Sequence, residues 1–181
     1  MKTRLISLAL VALISVGAFA QTPKDVKTLL AEAGSKAKSE KKNVLVVFHA
    51  SWCGWCHKFE DFMALKQFAP VFDANYVTVR VDVMEQPDKA SLMNPGGGEL
   101  LTKLTGGVQT GIPYFAVLDP SGKKIMDSIR PVEGKKGGNI GHPAAPEEIA
   151  WFMEVLKKTA KHMKPAESKA IEDWLKAQKL G

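Results

Sequence analysis

Cysteine is scarce in this sequence, which has only Cys53 and Cys56 among its 181 residues. Two cysteines are too few for a disulfide-dense scaffold and, on their own, for a four-cysteine zinc site. The remaining composition, 45% hydrophobic and 24% charged, fits one domain with a sizeable core. It argues against a disordered, collagen-like or coiled-coil chain. The central question is therefore what this single cysteine pair does.

Other familiar patterns are also missing from the chain. Neither a GxxxxGK[ST] phosphate-binding loop nor a GxGxxG fingerprint occurs. The glycines and prolines of residues 84–111 therefore predict an irregular excursion rather than a nucleotide site. No internal repeat or low-complexity tract is visible. Beyond the N-terminal segment, no stretch is long and apolar enough to cross a bilayer.

The first twenty residues predict a secretory signal peptide. Lys2 and Arg4 precede an apolar run over residues 5–19, and Ala18 and Ala20 place small residues at a typical cleavage site. We predict cleavage after Ala20, with an uncleaved N-terminal anchor as the alternative interpretation. Cleavage leaves 23 Lys and Arg against 19 Asp and Glu, so the net charge falls from +6 to +4. A soluble exported protein is expected, and a bacterial periplasm, where disulfides persist, fits best.

Hydrophobic periodicity predicts alternating helices and strands. An amphipathic helix is expected over residues 23–42, fraying near Gly34. The apolar run at 44–48 predicts a strand covered on both faces, and the alternating valines of 76–83 predict a second strand. Between them, apolar residues at intervals of three and four predict a helix over 53–70. A strand, a helix and a strand in this order imply a right-handed parallel βαβ unit.

The second half of the chain continues this alternation with more glycine and proline. One helix is expected to start at Pro146, where two glutamates favour a helix N-terminus, and a short one after Pro165. Their aromatic residues are expected to dock the tail on the sheet: Trp151, Phe152 and Trp174. The other predicted segments are a helix at 99–104, a hairpin of strands at 114–118 and 124–130, and a glycine-rich basic loop at 134–143.

The two cysteines carry the predicted chemistry. Cys53 and Cys56 flank Gly54 and Trp55, between a buried strand and a helix start. At a helix start, the free N–H groups and the helix dipole favour the thiolate of Cys53 and lower the pKa of this residue. Cys53 is also expected to be more exposed than Cys56. Cys53 would attack a disulfide of another protein and Cys56 would resolve the mixed disulfide, or the reverse. An inert structural disulfide is the alternative, although so small a loop stabilises little.

Two segments resemble the thioredoxin superfamily. These are residues 44–58, VLVVFHASWCGWCHK, and residues 111–115, GIPYF, and the first is typical of exported members with a Cys-Gly-Trp-Cys-His-Lys motif. The resemblance covers roughly residues 43–130. It implies a thioredoxin-like α/β/α sandwich of three layers with a central mixed sheet, over residues 21–164. An extra C-terminal helical tail would follow at 165–181.

The same resemblance implies a substrate platform. In the family, the proline that matches Pro113 is cis and lies beside the disulfide, and the backbone of the residue matching Ile112 pairs with a substrate peptide. Trp52 and Trp55 flank the cysteines in sequence and are expected to form an apolar docking surface. For Trp52, a packing role is an equally good interpretation.

The chain departs from cytoplasmic thioredoxin at two charged positions. That protein carries a buried Asp six residues before its first cysteine and a buried Lys on the next strand, where this chain has Val47 and, by sequence, Thr78. Water, or His57 if it turns towards the sulfurs, would have to carry the proton instead. The chain also has extra length at 86–107, which would form either part of a partner-binding surface or a tolerated loop.

Two alternative functions use the same motif. Cys53, Cys56 and His57 match the c-type haem attachment pattern, but the preceding strand and the later Gly-Ile-Pro favour thioredoxin. The three residues would also suit a copper carrier, since soft thiolates bind Cu(I), although Cys56 and His57 point in different directions on a helix. The remaining histidines, His49, His142 and His162, are expected to be surface or packing residues. We predict no metal site and no cofactor.

The sequence thus predicts a periplasmic thiol–disulfide oxidoreductase, in the direction of a reductase on resemblance alone. Its expected partners are protein thiols and disulfides and a membrane-linked electron donor. It is expected to be a monomer that does not bind nucleic acid, because a net charge of +4 is weak. Four lysines of the C-terminal helices are instead predicted to form a solvated face: Lys157, Lys158, Lys161 and Lys164.

Overall fold

The computed structural model describes residues 22–178. The predicted signal peptide lies outside the described residues. Among the helices that are described, none combines the length and the apolar character needed to span a bilayer. A central sheet with helices on both faces organises this part of the chain.

The main sheet has four strands in the order β2-β1-β3-β4. Strand β1 pairs in parallel with β2 and antiparallel with β3, and β4 pairs antiparallel with β3, so the sheet is mixed. All seven residues of β1 are buried, as expected for a central strand covered on both faces. The strands are β1 (Asn43–His49), β2 (Tyr76–Asp82), β3 (Tyr114–Leu118) and β4 (Lys124–Asp127).

Alternation along β1 divides the core between the two faces of the sheet. Leu45 and Val47 point to a cluster that contains phenylalanines of the helices following the cysteines, and Val46 and Phe48 point to a second cluster on the other side. The predicted three-layer α/β/α sandwich is therefore confirmed. The helices are α1 (Val26–Glu40), α2 (Gly54–Ala64), α3 (Ala69–Asn75), α4 (Gly97–Thr105), α5 (Pro146–Thr159) and α6 (Pro165–Ala177), with a 3₁₀ helix at Pro87–Leu92.

Two helix boundaries differ from those expected. The helix after the cysteines ends at Ala64, and Pro70 lies in the first turn of α3 rather than ending a helix. A proline fits there because the first turn of a helix needs no N–H donor from it. Helix α1 does not fray at Gly34 but continues to Glu40. Gly34 is buried, and a Cβ atom at this position would lie 2.7 Å from the carbonyl oxygen of Pro120, so the glycine allows close packing rather than disorder.

The prediction of a basic loop at 134–143 is also wrong, because part of this range forms a strand. Strand β4 stops at Asp127, and the chain then forms a separate two-stranded antiparallel ribbon of β5 (Ile129–Val132) and β6 (Lys135–Asn139). Gly137 permits the pairing, since a Cβ atom there would lie 2.6 Å from the carbonyl oxygen of Arg130. A glycine-rich stretch thus forms a strand where its partner's backbone comes unusually close.

The extra length and the tail are both packed onto the sandwich. Within 86–107, Leu101 and Leu104 of α4 are buried beside α1 and the sheet. In α6, Ile171 and Leu175 are buried in the cluster that also contains the core residues of α2 and α5. The exposed lysines of α5 pair with their own neighbours, as in the contact of Lys158 with Glu154 at 3.5 Å. The expected docking of the tail is confirmed.

Candidate functional site

The cysteines lie at the junction between β1 and α2. Cys53 is the N-cap of α2, and its Sγ accepts a hydrogen bond from the backbone N–H of Cys56 at 3.2 Å. The two sulfurs form a disulfide. The helix therefore begins directly after Cys53, as the sequence predicts, and its N-terminal dipole points at this sulfur.

Accessibility differs between the cysteines and their tryptophan neighbours. Cys53 is 4% exposed and Cys56 is fully buried, so the order is as expected although Cys53 is more enclosed than predicted. Trp52 and Trp55 are 50% and 46% exposed. Large apolar side chains that protrude beside an enclosed sulfur are typical of a docking surface.

The loop before β3 approaches the disulfide from the other side. The peptide bond between Ile112 and Pro113 is cis. The Sγ of Cys53 lies 3.6 Å from the carbonyl oxygen of Ile112, and the Ile112 side chain packs against Ala50 and the two cysteines. The structure thus brings together Cys53, Cys56, Ile112 and Pro113, which are some sixty residues apart in the chain.

Asn139, at the end of β6, holds the loop that contains Ile112 and Pro113. The sequence alone did not identify it as a site residue. Its side-chain amide donates to the carbonyl oxygens of Gly111 at 2.9 Å and Pro113 at 3.0 Å. These bonds satisfy two backbone acceptors on either side of the cis bond. An asparagine after four residues rich in glycine and lysine carries no such signal by itself, because the bonds exist only once the ribbon folds back.

The turn that leads into Cys53 is held by the segment after β2. Ser51 donates its backbone N–H and its hydroxyl to the carboxylate of Glu85 at 2.6 and 2.8 Å. Burial by itself raises the pKa of Glu85, but the two bonds from Ser51 and the nearby basic side chains of Lys89 and His49 together outweigh it, so the net shift is downwards. Trp52 donates its indole N–H to the carbonyl oxygen of Met84 at 2.7 Å. Trp52 therefore combines an exposed face with an anchored edge.

A groove of about 660 Å³ runs along the loop and the ribbon. Its walls include Trp55, Ile112, Pro113, Asn139, His142 and Glu148. His142 stacks on Trp55 with ring centroids 6.0 Å apart, and burial followed by the charge of Lys58 lowers the pKa of this histidine. Lys58 lies 4.3 Å from the centroid of the Trp55 ring. The Trp55 ring thus contacts both His142 and Lys58, and the groove continues from it along the cis loop.

The His57 ring is held against the Ser51 turn and does not face the sulfurs, as a proton carrier would have to. Its Nε2 donates to the carbonyl oxygen of Ser51 at 3.1 Å, and its ring lies edge-on to His49. His49 is buried rather than on the surface, with its Nδ1 3.0 Å from Asp82. Together with Glu60, the two histidines place one ligand atom each within 4.8 Å of one another. Sequence spacing did not reveal this cluster.

The buried charge pair of cytoplasmic thioredoxin is absent from the corresponding positions. Val47 is buried in the apolar core, and its register partner on β2 is Arg80, not Thr78. Thr78 is exposed and pairs with Leu45. Arg80 points to solvent and contacts Asp82 at 3.0 Å, so this strand pair supplies no buried carboxylate at the place where the family has one.

Comparison with known proteins identifies a family. The family model described as thioredoxin-like matches residues 25–120, which is more than half of the chain. No curated protein sequence is significantly similar to the chain.

The chain is also similar to several solved structures, at low sequence identity. A disulphide isomerase from Xylella fastidiosa Temecula1 is 18% identical, with a TM-score of 0.46, over 87% of this chain and 96% of that one. A DsbH oxidoreductase is 20% identical, with a TM-score of 0.47, over the same shares of the two chains. The C-terminal domain of Neisseria meningitidis DsbD is 17% identical, with a TM-score of 0.42, over 65% and 88% of the two chains.

Proposed function

This chain belongs to the thioredoxin-like family, and we propose that it is an exported thiol–disulfide oxidoreductase that reduces protein disulfides. The observation that carries the proposal is the disulfide between Cys53 and Cys56 at the N-terminus of α2, beside the Ile112–Pro113 loop. Two sulfurs held at a helix start form the arrangement that supports reversible exchange.

In the reduced protein, Cys53 is the nucleophile. The backbone N–H of Cys56 and the dipole of α2 stabilise its thiolate. The thiolate attacks one sulfur of a substrate disulfide, forms a mixed disulfide, and releases the other substrate sulfur as a thiolate that takes a proton from water. Cys56 then loses its proton and attacks Cys53. The substrate leaves with two thiols, and the enzyme keeps the disulfide.

The substrate segment is proposed to dock between the tryptophans and the cis loop. Trp52 and Trp55 expose apolar surface, and the groove beside Trp55 follows Ile112 and Pro113. An extended peptide in this groove would place its disulfide next to Cys53, which is 4% exposed. Because the groove is lined mainly by backbone and apolar groups, we expect broad selection among peptides rather than recognition of one sequence.

The proposal also covers the direction of the redox reaction and the location of the protein outside the cytoplasm. A reductase outside the cytoplasm must recover its electrons, so a membrane-linked donor is expected to reduce the Cys53–Cys56 disulfide after each turnover. The reduction potential of the pair decides the direction. A potential of about −270 mV, as in thioredoxin, would support a reductase, and one of about −120 mV, as in DsbA, would make the protein an oxidase.

Single cysteine variants test the exchange. Cys53→Ser removes the attacking thiolate, so reduction of a model protein disulfide in the presence of dithiothreitol is expected to fall to the rate without enzyme. Cys56→Ser keeps the nucleophile but cannot resolve the intermediate, so mixed disulfides are expected to accumulate on Cys53. Activity is followed by the turbidity of reduced insulin, and the adducts by non-reducing electrophoresis and mass spectrometry.

A conservative variant away from the sulfurs serves as the control. Ser39 lies on the exposed part of α1, and Ser39→Ala is expected to behave like the unmodified protein. Full activity of the Cys53→Ser protein would contradict the assignment. Capture of adducts by Cys56→Ser in periplasmic extracts, followed by their identification, would name the substrates and the electron donor together.

A further inference from the structure

The geometry points to a divalent metal site formed by His49, His57 and Glu60, with zinc as the best-matched ion. One ligand atom from each residue lies within 4.8 Å of the other two. The site uses neither cysteine sulfur, so it differs from a copper site on the Cys53–Cys56 motif. His49 ends β1, and His57 and Glu60 lie in the first two turns of α2.

The strongest observation is an unpartnered nitrogen on His49. This residue is 1% exposed, and its Nε2 is buried without a hydrogen-bond partner among the described residues. The nearest carboxylate oxygen, on Glu60, lies 3.6 Å away, which is too far for a hydrogen bond. A buried polar atom normally finds a partner, and a cation between this nitrogen and the Glu60 carboxylate would satisfy both.

The other nitrogen of His49 fixes its tautomer. The carboxylate of Asp82 accepts a hydrogen bond from Arg80 and lies 3.0 Å from the Nδ1 of His49, so Nδ1 is the ring nitrogen that donates to this acceptor. The lone pair of the ring is then on Nε2, on the side of Glu60. A carboxylate on the outer nitrogen of a ligating histidine is the usual second-shell arrangement at zinc sites.

His57 shows the same arrangement with a different acceptor. Its Nε2 donates to the backbone carbonyl of Ser51 at 3.1 Å, which leaves the lone pair of a neutral ring on the other nitrogen. The Ser51 turn is itself held by Glu85. Both histidines therefore have one nitrogen engaged with an oxygen acceptor and one nitrogen able to bind a metal.

The donor set selects the class of metal. Two imidazoles and one carboxylate suit zinc better than magnesium or calcium, which prefer oxygen ligands. Tetrahedral zinc at its usual bond lengths needs donor atoms about 3.4 Å apart. The His49–Glu60 pair at 3.6 Å is already near this spacing. His57 is exposed and can close the remaining gap, and a water molecule would occupy the fourth position.

A bound ion would join the two ends of the segment that carries the cysteines. His49 precedes Cys53 by four residues, and Glu60 follows Cys56 by four. Zinc would therefore link β1 to α2 across the redox turn, and it would stabilise the folded protein because the unfolded chain does not hold these ligands together.

Zinc titration of the oxidised protein tests the site. In the oxidised form the cysteine sulfurs are joined and cannot act as thiolate ligands, so binding reports the histidine and glutamate set. We expect one Zn²⁺ per chain by isothermal titration calorimetry and a rise in the thermal midpoint on addition of Zn²⁺. Substitution of Co²⁺ is expected to give the visible absorption of a four-coordinate ion.

Two variants and one control make the test specific. His57→Ala and Glu60→Gln each remove one ligand without emptying the core, and each is expected to weaken Zn²⁺ binding at least about tenfold. His162→Ala, at an exposed histidine far along the chain, is expected to bind Zn²⁺ like the unmodified protein.

Three results would overturn the site. These are no stoichiometric binding, equal binding by all the variants, and loss of binding in the His162→Ala control. The first would mean that the Nε2 of His49 faces the Glu60 carboxylate without binding a metal. Because the titration uses the disulfide form, it is independent of the proposed reductase activity.

Discussion

Single atoms decide where two backbone segments of this protein meet. Gly34 faces the carbonyl oxygen of Pro120, and Gly137 faces that of Arg130, at distances that no Cβ atom tolerates. The side chain of Asn139 similarly joins two carbonyl groups of the loop beside the disulfide. At this scale the fold depends on small groups whose removal or enlargement changes packing rather than chemistry.

A Cβ atom at Gly34 is predicted to destabilise the protein. In an isolated helix, alanine is about 1 kcal/mol better than glycine, but the new Cβ atom would meet a backbone oxygen that cannot rotate away. We expect Gly34→Ala to lower the free energy of unfolding by roughly 1–3 kcal/mol. Urea denaturation followed by circular dichroism measures the change.

Gly98→Ala is the matched control. Gly98 also lies in a helix, α4, but nothing is within 4 Å of the position that its Cβ atom would occupy. We expect this variant to be neutral or up to about 1 kcal/mol more stable. Equal free energies of unfolding for the two alanine variants would show that the contact with Pro120 does not affect stability.

At the scale of elements, the C-terminal helix is part of the core. Ile171 and Leu175 are buried, and Trp174 stacks on Phe62 of α2 with ring centroids 5.1 Å apart. Its edge also meets Phe68, at 5.9 Å. Helix α6 therefore packs against the helix that starts at the redox site, and a boundary at residue 164 does not separate two cores.

Truncation of Trp174 is predicted to weaken this packing. Trp174→Ala removes two aromatic contacts, and we expect a loss of about 3 kcal/mol, the lower end for large core residues because this side chain is partly exposed. The midpoint of thermal unfolding reports the loss. Lys169→Ala, on the exposed side of the same helix, is the control and is expected to leave the midpoint unchanged. An unchanged midpoint in both would mean that α6 is not part of the folding unit.

At the scale of the whole molecule, the sequence predicts an export signal ahead of the thioredoxin-like fold. The described part begins at residue 22, and its first helix is capped by Asp25, which accepts the backbone N–H groups of Lys27 and Thr28. Val26, the first helical residue, is already buried in the core. The packed fold thus starts a few residues after the predicted cleavage site.

We predict that the protein recovered from a bacterial periplasm begins at Gln21. Cleavage after Ala20 keeps Asp25 and Val26, and with them the capped start of α1, in the mature chain. Periplasmic extraction followed by intact-mass measurement checks this. A Lys2→Glu, Arg4→Glu variant, which reverses the basic start, is expected to accumulate unprocessed. An unprocessed native protein in the membrane fraction would instead indicate the uncleaved anchor.

The sequence by itself determined the parts of this protein that depend on neighbours along the chain. The buried run of β1, the alternation of β2 and the helix start after Cys53 are local patterns of side-chain polarity, and they place the redox pair correctly. Ile112 and Pro113 were added by resemblance to a family, since nothing in their own segment links them to a cysteine.

Only the tertiary structure decided which distant groups meet. The β5–β6 ribbon depends on a glycine that faces Arg130, and Asn139 reaches Gly111 only when this ribbon folds back. His49 and Asp82 are 33 residues apart and meet because β1 and β2 pair in register. Polarity patterns specify the buried face of a segment. The partners across that face are set by the packing of the whole chain.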